Sequence, residues 1–163
     1  MPGTLYIVAT PIGNLEDMTR RATRILEEVD LIAAEDTRHT RKLLNHFNIQ
    51  TPMVSYYREK EASRTDELID RLLEGETIGL VSDAGTPGIS DPGAILVNSA
   101  RQADIPIIPI PGPSALTAAL SCAGLEPGSF LFLGFAPAKT SARKKLFESL
   151  STQSYPLVFY ESP

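Results

Sequence analysis

Seven short apolar runs recur along the chain, at 5–9, 31–34, 53–56, 77–81, 105–110, 130–135 and 157–160, and segments of helical periodicity separate them. Runs such as Leu5-Tyr6-Ile7-Val8-Ala9 and Leu31-Ile32-Ala33-Ala34 are apolar on both faces, the pattern of strands covered above and below. Strands of that kind alternating with helices define an α/β chain with a parallel sheet and right-handed crossovers. The prolines of Ile105-Pro106-Ile107-Ile108-Pro109-Ile110 place that strand at an edge.

The intervening segments carry helix signals. Thr19 is positioned to cap a helix bearing Ala22, Ile25, Leu26 and Val29 on one side. A second helix follows Glu35-Asp36-Thr37-Arg38-His39 and turns Leu43, Leu44 and Phe47 inward. Ser63 with Asp66 has the spacing of a capping box, opening a helix with Leu68, Ile69, Leu72 and Leu73. Glu67 precedes Arg71 by four residues, the favourable order for an ion pair, and Gly75 is placed to end the helix. Asp91-Pro92 reads as the start of a helix running to about Ala103, with Asp91 as cap. Further helices are expected at 114–122 and 140–150.

These elements predict a five-stranded, mostly parallel sheet with flanking helices in an N-terminal α/β domain, residues 1–123. Residues 124–129 read as a linker. Residues 130–163 read as the beginning of a second α/β domain, truncated here, because a strand–helix–strand piece cannot bury both faces of its own sheet.

Composition narrows the function. Of the 163 residues, 42% are hydrophobic and 21% charged, ordinary for a soluble globular protein. No apolar run is long enough to span a bilayer, and no basic-then-apolar leader opens the chain, so a cytoplasmic location is expected. A single cysteine, Cys122, excludes an internal disulfide and a cysteine-based zinc cluster. The net charge of −5 argues against a surface that is basic all round. Arg20, Arg21, Arg24, Arg38, Arg41 and Lys42 nevertheless cluster in the first quarter, as either solvated helix faces or an RNA contact. The dinucleotide Gly-x-Gly-x-x-Gly and the phosphate loop are absent. His39 and His46, the only histidines, are two helical turns apart, too far to share a metal unaided. No metal site is expected.

The candidate site is Ser82-Asp-Ala-Gly-Thr-Pro-Gly-Ile-Ser-Asp-Pro-Gly93, a loop with little side-chain bulk at the carboxyl end of the 77–81 strand. Open α/β sheets bind small ligands at such positions. A second loop, Pro111-Gly-Pro-Ser-Ala115, leaves the next strand end and can meet the first at one cleft. Exposed backbone groups around Asp83, Ala84, Gly85, Ser114 and Ala115 suit a ligand with an adenine edge, ribose hydroxyls and a zwitterionic tail. A tight strand-to-helix turn without any ligand is the alternative.

The twelve-residue stretch 82–93 resembles the signature of the small-subunit ribosomal RNA methyltransferase I family, the RNA-modifying branch of the tetrapyrrole methylase superfamily. Ala9-Thr-Pro-Ile-Gly-Asn-Leu-Glu-Asp-Met-Thr19, Ala34-Glu-Asp-Thr-Arg38, Pro111–Ala115 and Phe159-Tyr-Glu-Ser-Pro163 fit the same family. The resemblance implies a tetrapyrrole methylase-like fold of two α/β domains and an S-adenosylmethionine-dependent enzyme, usually a homodimer. The implied reaction is 2′-O-methylation of a cytidine in the decoding region of 16S rRNA within the small ribosomal subunit. Ser82, Asp83 and Ala84 then occupy the superfamily's Gly-Asp-Pro cofactor motif, in the form usual for the RNA-modifying branch. Gly85, Pro87, Ser114 and Ala115 would line the same pocket, with Leu133 contributing from the second domain. Members of the family continue well past residue 163.

Methyl transfer to a ribose hydroxyl requires in-line placement and removal of the hydroxyl proton. Asp36 and His39, just beyond a strand end, are the candidates for the base, and Arg38 for a bidentate phosphate contact. Capping of the following helix by Asp36 or Thr37 is the competing role. Glu16 and Asp17 would repel phosphates if they faced the cleft, so they are expected to point away. Tetrapyrrole C-methylation and a non-catalytic cofactor-binding or dimerisation fragment remain as alternative functions.

Overall fold

A computed structural model describes residues 1–126 and 128–161. The Ser162-Pro163 end of the last family motif and Pro127 of the 124–129 segment lie outside the described residues. The chain divides into two compact units, Met1–Ala115 and Leu116–Pro163.

The first unit is built on five strands: β1 (Leu5–Val8), β2 (Leu31–Ala34), β3 (Met53–Ser55), β4 (Ile78–Val81) and β5 (Ile107–Ile110). They lie in the order β3-β2-β4-β1-β5 and every pairing is parallel. Four helices connect them: α1 (Arg20–Glu28), α2 (Thr37–His46), α3 (Glu61–Leu73) and α4 (Ala94–Gln102). The proline-bearing strand is at the edge, where Pro109 removes a donor the sheet does not need.

Strand order fixes the layers. The chain steps one way across the sheet through β1, β2 and β3, then back through β4 to β5. With right-handed crossovers, α1 and α2 must cover one face and α3 and α4 the other. The core divides in that way. Ala22, Ile25, Leu26 and Leu44 pack with Val8, Ile32, Ala34, Val81 and Ile110. Leu68, Leu72, Leu96 and Ala100 pack with Leu5, Leu31, Ala33, Ile78 and Leu80. Alternate strand residues thus feed opposite layers. Gly79 lets α1 approach closely: a Cβ there would lie 3.3 Å from Leu26 Cδ2.

Local signals hold at several helix ends. Thr19 Oγ1 accepts the Ala22 amide at 3.0 Å, and Asp36 caps α2. Three others are corrected. The Ser63/Asp66 box does not form: α3 begins at Glu61, and Ser63, inside its first turn, donates to the Lys60 carbonyl. Arg71 pairs with Glu76 at 2.7 Å and Glu67 with Arg64, so the expected Glu67–Arg71 bridge is absent. Helix α4 starts at Ala94 rather than Pro92, with Gly93 as its N-cap, and Asp91 does not cap it. The Gly93 amide is instead held by Glu61 Oε1 at 2.8 Å, a buried bond from the start of α3. Glu61 thus supplies at Gly93 the carboxylate that Asp91 was expected to provide.

The second unit carries most of α5 (Ala115–Cys122), then β6 (Leu131–Phe135), α6 (Thr140–Leu150) and β7 (Leu157–Tyr160). Strands β6 and β7 form a two-stranded parallel sheet. Edge-to-face rings tie it together, with Phe132 on Tyr160 at 4.9 Å and Phe147 of α6 on Phe159 at 5.4 Å. None of its helix or strand residues is fully buried, as expected for one helix on two strands.

Candidate functional site

Strand β4 is flanked by β2 and β1, both of which continue into helices on one face, whereas β4 continues into α4 on the other. Connections that diverge from neighbouring strand ends leave a crevice at the carboxyl edge of the sheet. The 82–93 loop occupies that point. A cavity of about 490 Å³ opens there, lined by Thr10, Pro11, Ile12, Gly13, Leu15, His39, Lys42, Leu43, Asp83 and Ala84. It is assembled from the loop after β1, one side of α2 and the first residues after β4.

Backbone and side-chain bonds fix the three walls to one another. Thr10 and Gly85 exchange a pair of backbone hydrogen bonds, at 2.9 and 3.0 Å, as an isolated antiparallel bridge. Gly85 has φ +78°, a conformation that strains any side-chain-bearing residue, and a Cβ there would lie 3.5 Å from Ile12 Cγ2. Thr10 Oγ1 donates to the Ser82 carbonyl at 3.3 Å. Across the crevice the contacts are reciprocal. The Asp36 amide donates to Asp83 Oδ1 at 3.1 Å, and the Asp83 amide donates to Glu35 Oε2 at 3.3 Å. The ends of β2 and β4 are thereby clamped together.

The predicted residues separate into groups. Asp83, Ala84 and His39 line the cavity. Ser82 and Gly85 are buried behind it, and Pro87 is buried further along the loop. Asp36 and Arg38 lie outside the lining. Asp36 Oδ1 accepts the amides of Arg38 at 2.8 Å and His39 at 3.4 Å. Those bonds, the Arg38 amide first, hold the Asp36 carboxyl below its ordinary value. Arg38 is 91% exposed and reaches Asp36 Oδ2 at 3.4 Å. The 111–115 loop touches the 82–93 loop, since Thr86 Oγ1 donates to the Pro113 carbonyl at 3.4 Å. Ser114 and Ala115 do not line the cavity, and Leu133 is a half-buried residue of β6 in the second unit. Glu16 and Asp17 are exposed on a single 3-10 turn, Leu15–Asp17, and of that turn only Leu15 reaches the cavity.

Sequence reasoning missed Thr10, Pro11, Ile12, Gly13, Leu15, Glu35, Lys42 and Leu43 as site residues. The Ala9–Thr19 motif had flagged the first five, but nothing local says that β1 and β2 both lie beside β4.

Glu35 and Asp91 are both near enough to Asp83 for its charge to act on them. Burial pushes the Glu35 carboxyl up, assisted by the charges of Asp83 and Asp91 and opposed by the Asp83 amide and Arg58. Burial likewise raises Asp91, against a side-chain bond from Ser82. A carboxyl whose value is higher in the fold binds more protons folded than unfolded, so stability falls as pH rises through the folded value. Glu35→Gln is therefore expected to raise Tm at pH 7, because its amide oxygen still accepts the Asp83 N–H. Melting at a series of pH values checks this: the gain should shrink towards zero below the ordinary glutamate value of 4.5.

A wholly parallel five-stranded sheet with a loop-built cavity at its strand ends defines an open α/β domain, a class in which ligands generally bind at that edge. Comparison with known proteins gives the family. Residues 4–163 match the model of the tetrapyrrole (corrin/porphyrin) methylases, and the chain belongs to that family. Among curated relatives, it is 55% identical over 161 residues to a ribosomal RNA small subunit methyltransferase I of Synechocystis sp., covering 99% of this chain and 58% of that protein. The enzyme of the same name from Xylella fastidiosa is 53% identical, again with 99% of this chain and 59% of the relative covered. The chain thus spans somewhat under three fifths of the length of these relatives. Among solved structures, a uroporphyrin-III-C-methyltransferase from Thermus thermophilus superposes with TM-score 0.61 at 26% identity, covering 82% of this chain and 60% of that one. A diphthine synthase superposes with TM-score 0.73 at 17% identity, covering 99% and 66%, and supports the fold alone. Among the described residues no helix is long and apolar enough to cross a membrane.

Proposed function

We propose that this chain is the cofactor-binding portion of an S-adenosylmethionine-dependent enzyme that 2′-O-methylates a cytidine of 16S rRNA in the small ribosomal subunit. The observation that carries this reading is the 55% identity, over nearly the whole chain, to a protein named for methylating small-subunit ribosomal RNA. The resemblance in the signature loop narrows the donor and the acceptor atom.

The cavity suits the cofactor. Its volume of about 490 Å³ lies within the usual range for small-molecule sites, roughly 300–1,000 Å³. Pro11, Ile12, Leu15 and Leu43 provide an apolar wall, the Asp83 carboxylate an acceptor for hydroxyls or an ammonium, and Lys42 a cation for a carboxylate. S-adenosylmethionine supplies an electrophilic methyl group on a sulfonium sulfur.

The chain's own residues then position the acceptor and move one proton. His39 lines the cavity and carries a ring nitrogen able to take the proton of the ribose 2′-hydroxyl as the oxygen is methylated. Asp36 acts through its neighbour: by accepting the His39 amide at 3.4 Å it fixes the first turn of α2, and is a positioning residue in this reading. His39→Ala in the full-length protein is expected to lower kcat about 100-fold or more, in line with the loss of a general base. Asp36→Asn would retain an accepting oxygen and cost less.

The second reading, methylation of a tetrapyrrole carbon, has the solved C-methyltransferase at 26% identity in its favour. The higher identity to the ribosomal RNA enzymes places it second. Small ribosomal subunits and uroporphyrinogen offered separately with methyl-labelled S-adenosylmethionine distinguish the two. Label recovered as 2′-O-methylcytidine in 16S rRNA supports the proposal, and label on the tetrapyrrole alone rejects it. The same resemblance leads us to propose a cytoplasmic homodimer, which sedimentation of the full-length protein tests.

A further inference from the structure

We propose that the exposed side of α2 is the surface on which a single strand of the RNA acceptor docks, with Arg38 and Arg41 holding its backbone phosphates beside the cavity mouth. The inference rests on the RNA methyltransferase reading above and adds the surface that reading lacks.

Helix α2, Thr-Arg-His-Thr-Arg-Lys-Leu-Leu-Asn-His, has no acidic residue in ten, in a chain whose net charge is −5. Its sides have separate duties. Thr40 and Leu44 are buried against the sheet. His39, Lys42 and Leu43, spaced by three and four, line the cavity. Arg38, Arg41 and Asn45 form the adjoining row and are exposed, so a basic row runs directly alongside the cavity-facing one. Rows spaced by three and four residues put neighbouring side chains about 5–6 Å apart, a ladder suited to successive charges on one strand.

Charge on neighbouring elements does not cancel the row. Among the described residues, no acidic side chain lies within 4.0 Å of Arg41 or Lys42. Arg38 has one partner, Asp36 at 3.4 Å, and with the guanidinium 91% exposed that pair is weak. A phosphate offers the same fork a doubly charge-assisted contact. Asp83 lines the cavity itself, and Asp83 and Glu35 accept backbone amides at the ends of β2 and β4 rather than pairing with a cation of this row. Arg38 and Arg41 carry two exposed positive charges with no acidic residue on their helix to balance them, which favours a polyanion.

The test uses the full-length protein, its small-subunit substrate and a short single-stranded RNA. Each phosphate contact removed should flatten the plot of log affinity against log salt by about 0.7 for single-stranded RNA. Arg41→Ala is expected to lose one such increment, and Arg38→Ala with Arg41→Ala about 1.4 in all, while KM for small subunits rises. Arg41→Lys should keep the slope, and S-adenosylmethionine affinity should not change in any of the three. Photo-crosslinking of the unmodified protein to the same RNA, which needs no variant to fold, should place adducts within 37–46. Unchanged slopes and KM, or crosslinks confined to other segments, overturn the docking surface while leaving the methyltransferase reading intact. Failure of the unmodified protein to bind or methylate small subunits rejects that reading itself.

Discussion

Gly93→Ala is expected to lower unfolding free energy by about 3 kcal/mol, from left-handed-side strain of roughly 1–2 kcal/mol plus a similar overpacking cost. The residue has φ +138°, and a Cβ built there lies 2.8 Å from Leu80 Cδ2 on the central strand. Leu80 is fully buried and cannot retreat without disturbing Leu68, Leu72 and Leu96 in the same layer. The Gly93 amide also holds the start of α4 to Glu61, so a shift there is transmitted to the start of α3. Thermal melting checks the prediction, with a Tm loss on the order of 10 °C or more. A change within 2 °C would show that the loop end is not packed as described. Glu61→Ala gives a companion result: an uncompensated buried amide at Gly93 should cost about 1–3 kcal/mol.

Asp83 is the second position of large effect, and two substitutions separate its two roles. Asp83→Ala removes the acceptor for the Asp36 amide, leaves the start of α2 unclamped and also deletes the cavity's carboxylate. Asp83→Asn keeps an oxygen that can accept the same amide but has no charge. If Asp83 holds hydroxyls or an ammonium of the cofactor, both variants should weaken S-adenosylmethionine binding. A charge-assisted bond of about 1.5–3 kcal/mol corresponds to a loss of roughly 10- to 150-fold in Kd. Only Asp83→Ala should also lower Tm. Calorimetric titration together with melting reads both quantities. An Asp83→Asn protein with unaltered affinity would confine Asp83 to clamping the strand ends.

The contrast between these positions shows what the sequence makes legible. The central strands β2 and β4 were readable because both faces of each are buried, so Leu31-Ile32-Ala33-Ala34 has no polar member to obscure it. The Thr19 cap was readable because its partner, Ala22, is three residues away. Glu61 was not readable as the partner of Gly93, because the bond spans 32 residues and depends on α3 and α4 packing side by side. The Asp91-Pro92 signal is sound locally and yet loses to that long-range bond. The site divides in the same way. The 82–93 loop announces itself by its composition and its strand, whereas the cavity's other walls depend on strand order. Lys42 and Leu43 looked like ordinary helix residues until β2 was placed beside β4. Asp36, one of two candidates for the base, has its carboxylate committed to the start of α2, which leaves His39 as the group in the cavity.

The central claim is that the cofactor occupies the crevice at the carboxyl end of β4. Amide hydrogen exchange of the full-length protein, with and without S-adenosylmethionine, tests it most directly. The account predicts slowed exchange at 82–87 and 10–13, the two segments that the Thr10–Gly85 bridge joins and that carry cavity-lining residues. Protection that appears elsewhere, with both segments unchanged at saturating cofactor, would contradict it.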